Sequence, residues 1–264
     1  MCLIVLAWKA SPSVRLAVAA NRDEFFARPA AAAAWWRDAP DVLAGRDLRG
    51  GGTWMGVTRS GRFAALTNFR DATAPRKGDA PSRGNLVGDF LRKEEGPAAF
   101  LSRLAWNADT FEGFNLLVSD GGELWSFSNA EERGPVALSP GVYGLSNHLL
   151  ETPWPKVAAA RERLAAAVAT EAAPPELEAS LLALLRNRAL APDGALPETG
   201  LPLAWERALS AAFVVLPDYG TRASTVLVVG ADGEARFTER TFGPGGAPLG
   251  EVRETFRLSA TPRA

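Results

Sequence analysis

The chain has 264 residues, with 29 lysines and arginines against 30 aspartates and glutamates, so its formal net charge is -1. This balance gives no broad basic surface of the kind that grips nucleic acid without regard to sequence. The sequence holds one cysteine and one histidine, which excludes an internal disulfide and a zinc site of the Cys/His type. We therefore expect no bound metal and no nucleic-acid partner.

The sequence contains no apolar run of eighteen or more residues and no charged start followed by an apolar core. We therefore expect neither a membrane span nor a secretory signal. A cytoplasmic location is the default expectation. The length suits one large domain, and we predict that residues 1–264 form it.

Two strands are predicted at the start of the chain, over residues 2–8 and 14–20, and the turn-rich segment between them favours a hairpin. Antiparallel pairing would return the end of the second strand, where residues 21–24 read Asn-Arg-Asp-Glu, to the start of the first. Residues 25–52 lack a clean period and predict a long loop, in which Trp35 and Trp36 either cap a pocket or anchor the loop on the core.

The remaining segments alternate between blocks of strands and blocks of helices. Residues 191–202 are rich in proline and glycine and predict a surface insertion. Because hairpins dominate both ends, the pattern favours an α+β fold with antiparallel sheets. We predict strands at 55–58, 62–67, 114–119, 123–128, 142–146, 211–216, 224–230 and 235–241, and helices at 86–94, 97–107, 154–169 and 175–188.

The single cysteine, Cys2, directly follows Met1. Removal of Met1 would leave one residue that carries both a thiol and a free α-amino group, with pKa values of about 8.5 and about 7.7 to 8. One residue would then supply a nucleophile and a base. The alternative is that Cys2 is a small buried hydrophobe, since it leads into an apolar strand.

His148 is the only imidazole, so any other general base must be a carboxylate, a lysine or the α-amino group. His148 itself could be a general acid, an axial ligand to haem iron, or an ordinary loop residue. No haem-attachment motif of the Cys-x-x-Cys-His type is present.

Six short motifs occur in order along nearly the whole chain. They are Met1-Cys2-Leu3-Ile4, Asn21-Arg22-Asp23-Glu24, Gly51-Gly52-Thr53-Trp54, Thr67-Asn68-Phe69-Arg70, Gly144-Leu145-Ser146-Asn147 with Pro153-Trp154-Pro155-Lys156, and Tyr219-Gly220-Thr221-Arg222. With these motifs the chain resembles the NRDE family, also called the transport and Golgi organisation family. That family is similar, more distantly, to N-terminal nucleophile hydrolases of the penicillin V acylase and bile salt hydrolase type. The resemblance implies a four-layer αββα sandwich.

The resemblance also implies a role for individual residues. Cys2 would be the nucleophile, and Arg22 and Asp23 would hold its thiolate and amine. Asn68 and Asn147 would donate to an oxyanion. The remaining expected site residues are Arg222, which would place positive charge near the sulfur, and Asn21, Glu24, Trp54, Phe69 and His148, which would contact the ligand.

Simpler explanations exist for the same residues. Arg22, Asp23 and Glu24 could form a solvated charge cluster, Asn68 and Asn147 could stabilise turns, and Arg222 could form a surface salt bridge. Neighbouring residues of a strand also face opposite ways, so only one of Arg22 and Asp23 could point at Cys2, and Glu24 could share a face with Arg22.

Three functions remain open at this point. The first is hydrolysis of a small acyl amide or thioester by Cys2 without a cofactor. The second is a carrier that uses the same cavity, because the resembled family has been linked to haem mobilisation and acyl-CoA binding; haem would then be cargo. The third, binding of protein partners through the alanine-rich helices, has no specific support in the sequence.

Overall fold

The computed structural model describes residues 3–259, so Met1 and Cys2 lie outside the described residues. Within that range the chain forms two antiparallel sheets. One sheet has the strand order β10-β1-β2-β11-β12-β13, and the other runs from β3 to β9 in chain order. The first sheet consists of β1 (Leu3–Trp8), β2 (Val14–Phe25), β10 (Gly141–Leu145), β11 (Tyr219–Gly230), β12 (Glu234–Phe242) and β13 (Pro248–Arg257).

The second sheet is built from hairpins in sequence order, and helices cover the outer face of each sheet. Its strands are β3 (Ala30–Trp36), β4 (Ala39–Asp47), β5 (Met55–Thr58), β6 (Phe63–Asn68), β7 (Phe114–Ser119), β8 (Leu124–Ser128) and β9 (Val136–Ala137). The helices are α1 (Gly84–Arg92), α2 (Pro97–Ala105), α3 (Pro155–Ala169), α4 (Pro174–Leu185) and α5 (Leu203–Leu209).

Strand β1 shows how the apolar residues divide between the layers. Its side chains alternate, so Ile4 and Leu6 pack between the two sheets while Leu3 and Val5 pack against helices α3 and α4. A third apolar cluster joins the second sheet to helices α1 and α2. These three clusters separate four layers, and the predicted αββα sandwich is confirmed. No helix within residues 3–259 is long and apolar enough to cross a membrane.

The predicted loop over residues 25–52 is wrong, because strands β3 and β4 occupy most of it. Alanine has low strand propensity, so the alanine-rich start of β3 gave no local signal. Its pairing with β4 and the burial of Ala33 and Trp36 stabilise it instead. Trp36 donates from Nε1 to the Ala44 carbonyl at 3.0 Å, and Trp35 packs against Phe256 with ring centroids 5.0 Å apart.

The predicted strand over residues 211–216 is also wrong. This apolar segment is irregular, and only Val215 makes an isolated bridge, to Gly220. Strand β11 begins at Tyr219, earlier than predicted, and no sequence pattern predicted α5 or β13. Strand β13 is the edge of its sheet and is mostly exposed, so it lacks the apolar pattern that marks a covered strand.

Candidate active site

The pairing of β1 with β2 positions the site. Leu3 lies opposite Asn21 in this antiparallel pair, and β2 continues without interruption to Phe25. Cys2 lies outside the described residues, but it is bonded to Leu3, so the two Cα atoms are about 3.8 Å apart. The motif of residues 21–24 therefore begins directly opposite the neighbour of the single cysteine.

The alternation of β2 separates the charged residues of this motif. Arg22 faces the second sheet, where its guanidinium lies 4.5 Å from the ring centroid of Trp54 and its Nη2 lies 3.4 Å from Oδ2 of Asp47. Glu24 shares that face, with Oε2 3.9 Å from Arg22 Nη2. Burial lowers the pKa of Arg22, and the nearby carboxylates of Glu24 and Asp47 oppose this shift. The Nη1 atom of Arg22 is buried and has no hydrogen-bond partner within residues 3–259.

Asp23 faces the helices on the other side of the sheet. Its Oδ1 accepts a hydrogen bond of 2.6 Å from the hydroxyl of Thr221 on β11. Thr221 lies opposite Asp23 because β11 has a bulge at Arg222, which is the extra residue in the pairing. The side chain of Arg222 donates from Nη1 to the carbonyl oxygens of Phe25 (3.1 Å) and Arg28 (2.6 Å), so it holds the turn after β2.

Asn21 is fully buried, and its side chain is engaged within the protein. Nδ2 donates to the carbonyl oxygens of Leu185 (2.9 Å) and Ala212 (2.6 Å), and Oδ1 accepts from Ser224 at 2.6 Å. These bonds use both hydrogens of the amide. Asn21 therefore ties β2 to the end of α4 and to the irregular segment after α5.

A cleft of about 390 Å³ opens beside Asp23. One wall is aromatic: Phe25 and Tyr219 have ring centroids 5.0 Å apart, and Trp205 on α5 lies 5.4 Å from Tyr219. Small-molecule sites commonly combine such apolar walls with a few polar groups. The residues that line the cleft are Asp23, Glu24, Phe25, Asn68, Phe69, Arg70, Asn147, Leu201, Pro202, Trp205, Leu209 and Tyr219.

The two candidate oxyanion donors, Asn68 and Asn147, meet at this cleft. Nδ2 of Asn147 donates to the backbone carbonyl of Asn68 at 2.9 Å. Oδ1 of Asn147 accepts from Nη2 of Arg70 at 2.8 Å, and Arg70 in turn donates from Nη1 to Oε2 of the buried Glu206 at 3.1 Å. The backbone N–H of Arg70 also donates to the carbonyl of Asn147 at 2.7 Å.

His148 and Trp54 are not among the residues that line the cleft. His148 lies between rings, with its centroid 4.9 Å from Phe69 and 6.0 Å from Trp154, and its Nδ1 is 2.9 Å from the Thr152 hydroxyl. Trp54 is buried between the sheets. Phe69, in contrast, is part of the cleft wall.

A second buried carboxyl group, Glu239, lies between the sheets. Its Oε1 accepts from the backbone N–H of Ala33 on β3 at 2.7 Å, and its Oε2 lies 3.1 Å from the Thr225 hydroxyl. Burial raises the pKa of Glu239 to about 7, while these hydrogen bonds and the charge of Arg22 act in the opposite direction. The part of the chain that is described has no cluster of three or more His, Cys, Asp or Glu side chains that could hold a metal.

A model of the family described as "Transport and Golgi organisation 2" matches residues 1–244. The chain belongs to this family. The Transport and Golgi organization protein 2 homologue of Bos taurus is 40% identical over 261 residues, which cover 92% of this chain and 93% of that protein. The Drosophila melanogaster protein of the same name is 32% identical, over 97% of this chain and 96% of its own length. The family predicted from the six motifs is confirmed.

Among solved structures, that of a mutant conjugated bile acid hydrolase from Clostridium perfringens is similar to this member of the Transport and Golgi organisation 2 family. The TM-score is 0.50 at 9% sequence identity, over 98% of this chain and 92% of that chain. At this identity the likeness is one of fold. The chain therefore shares its fold with a bile acid hydrolase, as the resemblance implied.

Sequence reasoning missed several residues in the cleft or next to it. Trp205 in the cleft wall and Glu206 behind Arg70 belong to a seven-residue helix that carries no clear periodic pattern. Phe25 lies in the segment 25–52, which is predicted to be a loop. Arg70 and Tyr219, however, stand inside two of the six motifs, so the motifs themselves held a signal that could have identified them.

Proposed function

We propose that this protein is a hydrolase in which Cys2 cleaves a small acyl amide or thioester bound in the cleft beside Asp23. The observation that carries the proposal is the pairing of Leu3 with Asn21, because the covalent neighbour of Cys2 thereby lies opposite the strand that bears Arg22 and Asp23. The bile acid hydrolase of similar fold was crystallised as its C2A mutant, so the unmutated enzyme carries a cysteine at position 2.

The proposed reaction requires that Met1 be removed. The sulfur of Cys2 then bonds to the acyl carbon, the thiol proton passes to the α-amino group, and the carbonyl oxygen becomes an oxyanion. The side-chain amides of Asn68 and Asn147 are the proposed donors to that oxyanion. Collapse breaks the bond to the leaving amine or thiolate, which takes up the proton. Water then hydrolyses the Cys2 thioester, releasing the acid and restoring the thiol.

The lining of the cleft favours a neutral, apolar acyl group. Arg70 is the one basic residue among the described lining residues, and its charge is already paired with Glu206 at 3.1 Å. Asp23 and Glu24 add two carboxylates to the same lining. An anion in this cleft would meet a single basic side chain among the described lining residues, that of Arg70, whereas an apolar chain or ring would pack on Phe25 and Trp205. This charge balance disfavours haem and acyl-CoA as cargo of the cleft.

Intact mass spectrometry with matched substrates tests the proposal. The intact mass of the purified protein is measured first, to establish that Met1 is absent. The protein is then mixed with 4-nitrophenyl hexanoate or with its carboxylate-ended analogue, 4-nitrophenyl adipate. We expect an acyl adduct on Cys2, release of nitrophenol, and faster turnover of the neutral ester. Cys2→Ala should abolish the adduct and the turnover. Retained Met1, or nitrophenol release that survives in Cys2→Ala, would refute the proposed function.

A further inference from the structure

We propose that Arg70 and Glu206 are positioning residues that fix the side-chain amide of Asn147, with its Nδ2 group turned toward Asn68 and the cleft. The inference deepens the proposed function and rests on it for its catalytic consequence. Its structural basis is a continuous chain of hydrogen bonds from Asn147 through Arg70 to Glu206. All three side chains are mostly or fully buried.

An asparagine amide is nearly symmetrical in shape, so its orientation depends on what its two ends meet. Arg70 can only donate, and its Nη2 lies 2.8 Å from Oδ1 of Asn147. The carbonyl of Asn68 can only accept, and it lies 2.9 Å from Nδ2. A flipped amide would oppose donor to donor at one end and acceptor to acceptor at the other. The two contacts together therefore hold the donor end of Asn147 at the cleft.

Arg70 is itself held from several directions. Its Nη1 is 3.1 Å from Oε2 of Glu206, and its guanidinium lies 5.0 Å from the ring centroid of Trp154. The second carboxylate oxygen of Glu206, Oε1, accepts from the backbone N–H of Thr199 at 3.2 Å and from its hydroxyl. A guanidinium placed by a buried carboxylate has little freedom to turn, because breaking the pair would leave a buried charge without a partner.

Helix α5 contributes both to the cleft wall and to the hydrogen-bond chain that ends at Asn147. Trp205 forms part of the cleft wall, and the next residue, Glu206, holds Arg70. A ligand that packs on Trp205 thus contacts the same short helix that fixes the donor group of Asn147. This neighbourhood gives a structural reason for the buried acid in a helix whose other charged residue, Arg207, is exposed.

The test compares two reactions of Cys2 in the Glu206→Gln variant. Acylation by 4-nitrophenyl hexanoate passes through an oxyanion, whereas alkylation by iodoacetamide does not. We expect acylation to slow by about 10-fold to 100-fold, which is less than the roughly 100-fold to 1,000-fold cost of removing an oxyanion donor, because the donor is misoriented and not removed. Alkylation should keep its rate. Asp193→Asn is the matched control, because it breaks an exposed ion pair with Arg207 on the same helix; neither rate should change. If Glu206→Gln does not fold, Arg70→Lys carries the same comparison.

A purely structural role would slow both reactions together, and that result would overturn the inference. If the wild-type protein is not acylated at all, the proposed function fails, and the positioning is then judged by NMR. The side-chain NH₂ signals of Asn147, assigned by their absence in Asn147→Asp, should be protected from solvent exchange in the wild type and lose that protection in Glu206→Gln. Equal protection in both proteins would refute the positioning role.

Discussion

The indole ring of Trp54 lies against the backbone of Gly45, so closely that a Cβ atom on Gly45 would be 2.3 Å from Cζ2 of the ring. The same ring lies beneath the guanidinium of Arg22, at 4.5 Å from the ring centroid. The lack of a side chain at position 45 thus allows the ring position that supports Arg22. Gly45 on the second sheet thus helps to position Arg22 on the first sheet.

We expect Gly45→Ala to lower the free energy of unfolding by about 1–3 kcal/mol, because the added methyl group overpacks the space between the sheets. Urea unfolding followed by tryptophan fluorescence measures the change. Gly78→Ala is the control, since a Cβ atom there would meet nothing within 4 Å. A Gly45→Ala protein as stable as Gly78→Ala would show that Trp54 can move without cost.

Glu239 should make the stability of the protein depend on pH. Burial raises its pKa in the folded protein to about 7, from the 4.5 of an exposed glutamate. Between these values the folded state holds a proton that the unfolded chain has released, so the stability contribution of this group is present below about pH 4.5 and is lost as pH rises toward 7.

Glu239→Gln should remove this dependence, because the amide is neutral at every pH and its oxygen can still accept from Ala33. We expect the variant to gain stability relative to wild type as pH rises from 4.5 to 7, with the difference levelling off above that range. Urea unfolding at several pH values measures it. A constant difference across the series would contradict the shifted pKa.

Asn21→Ala should destabilise the fold strongly. It removes the donors for two buried carbonyl groups, those of Leu185 and Ala212, and each buried group left without a partner costs about 1–3 kcal/mol. Asn107→Ala, at an exposed position, should change the unfolding free energy by less than about 0.5 kcal/mol. Similar losses in the two variants would mean that water replaces the Asn21 amide.

Arg222→Ala should loosen the turn that follows β2. The side chain now donates to the carbonyls of Phe25 and Arg28, so its loss should speed hydrogen exchange at the backbone amides of Phe26 and Arg28. Exchange monitored by mass spectrometry gives the readout. The exposed Arg133→Ala serves as the comparison, and unchanged exchange in Arg222→Ala would show that the turn is held by its backbone alone.

Sequence patterns predicted those strands and helices whose apolar residues recur at short, regular spacing. Two apolar runs joined by a turn-rich segment predicted the hairpin of β1 and β2, and the helical spacing of Val157 and Leu164 predicted α3. Helix α5 was not predictable in this way. Its buried acid, Glu206, pairs with Arg70, a residue 136 positions earlier, so the stabilising contact is remote in sequence.

In the candidate site, too, local sequence predicted some features, while contacts between distant segments could not be predicted. The predicted second strand ends at residue 20, but β2 continues through the motif of residues 21–24 to Phe25. The period of two predicted that Glu24 could share the face of Arg22, and the two side chains do lie together. The partners of Asn21 on Leu185 and Ala212 could not be inferred, since they are backbone groups that only the packing of α4 brings near. The aromatic wall formed by Phe25, Trp205 and Tyr219 likewise joins three distant segments.

The bulge in β11 makes the register of this strand against β2 depend on its number of residues as well as on their side chains. If Arg222 were paired regularly instead, it would lie opposite Asp23, and residues 219–221 would shift by one position and turn each side chain to the opposite face. Thr221 would then leave Asp23, and Tyr219 would leave the cleft. Deleting Arg222 would keep Thr221 opposite Asp23, whereas adding or removing one residue between Tyr219 and Thr221 would turn Tyr219 to the other face. A change of length there should be more damaging than a replacement.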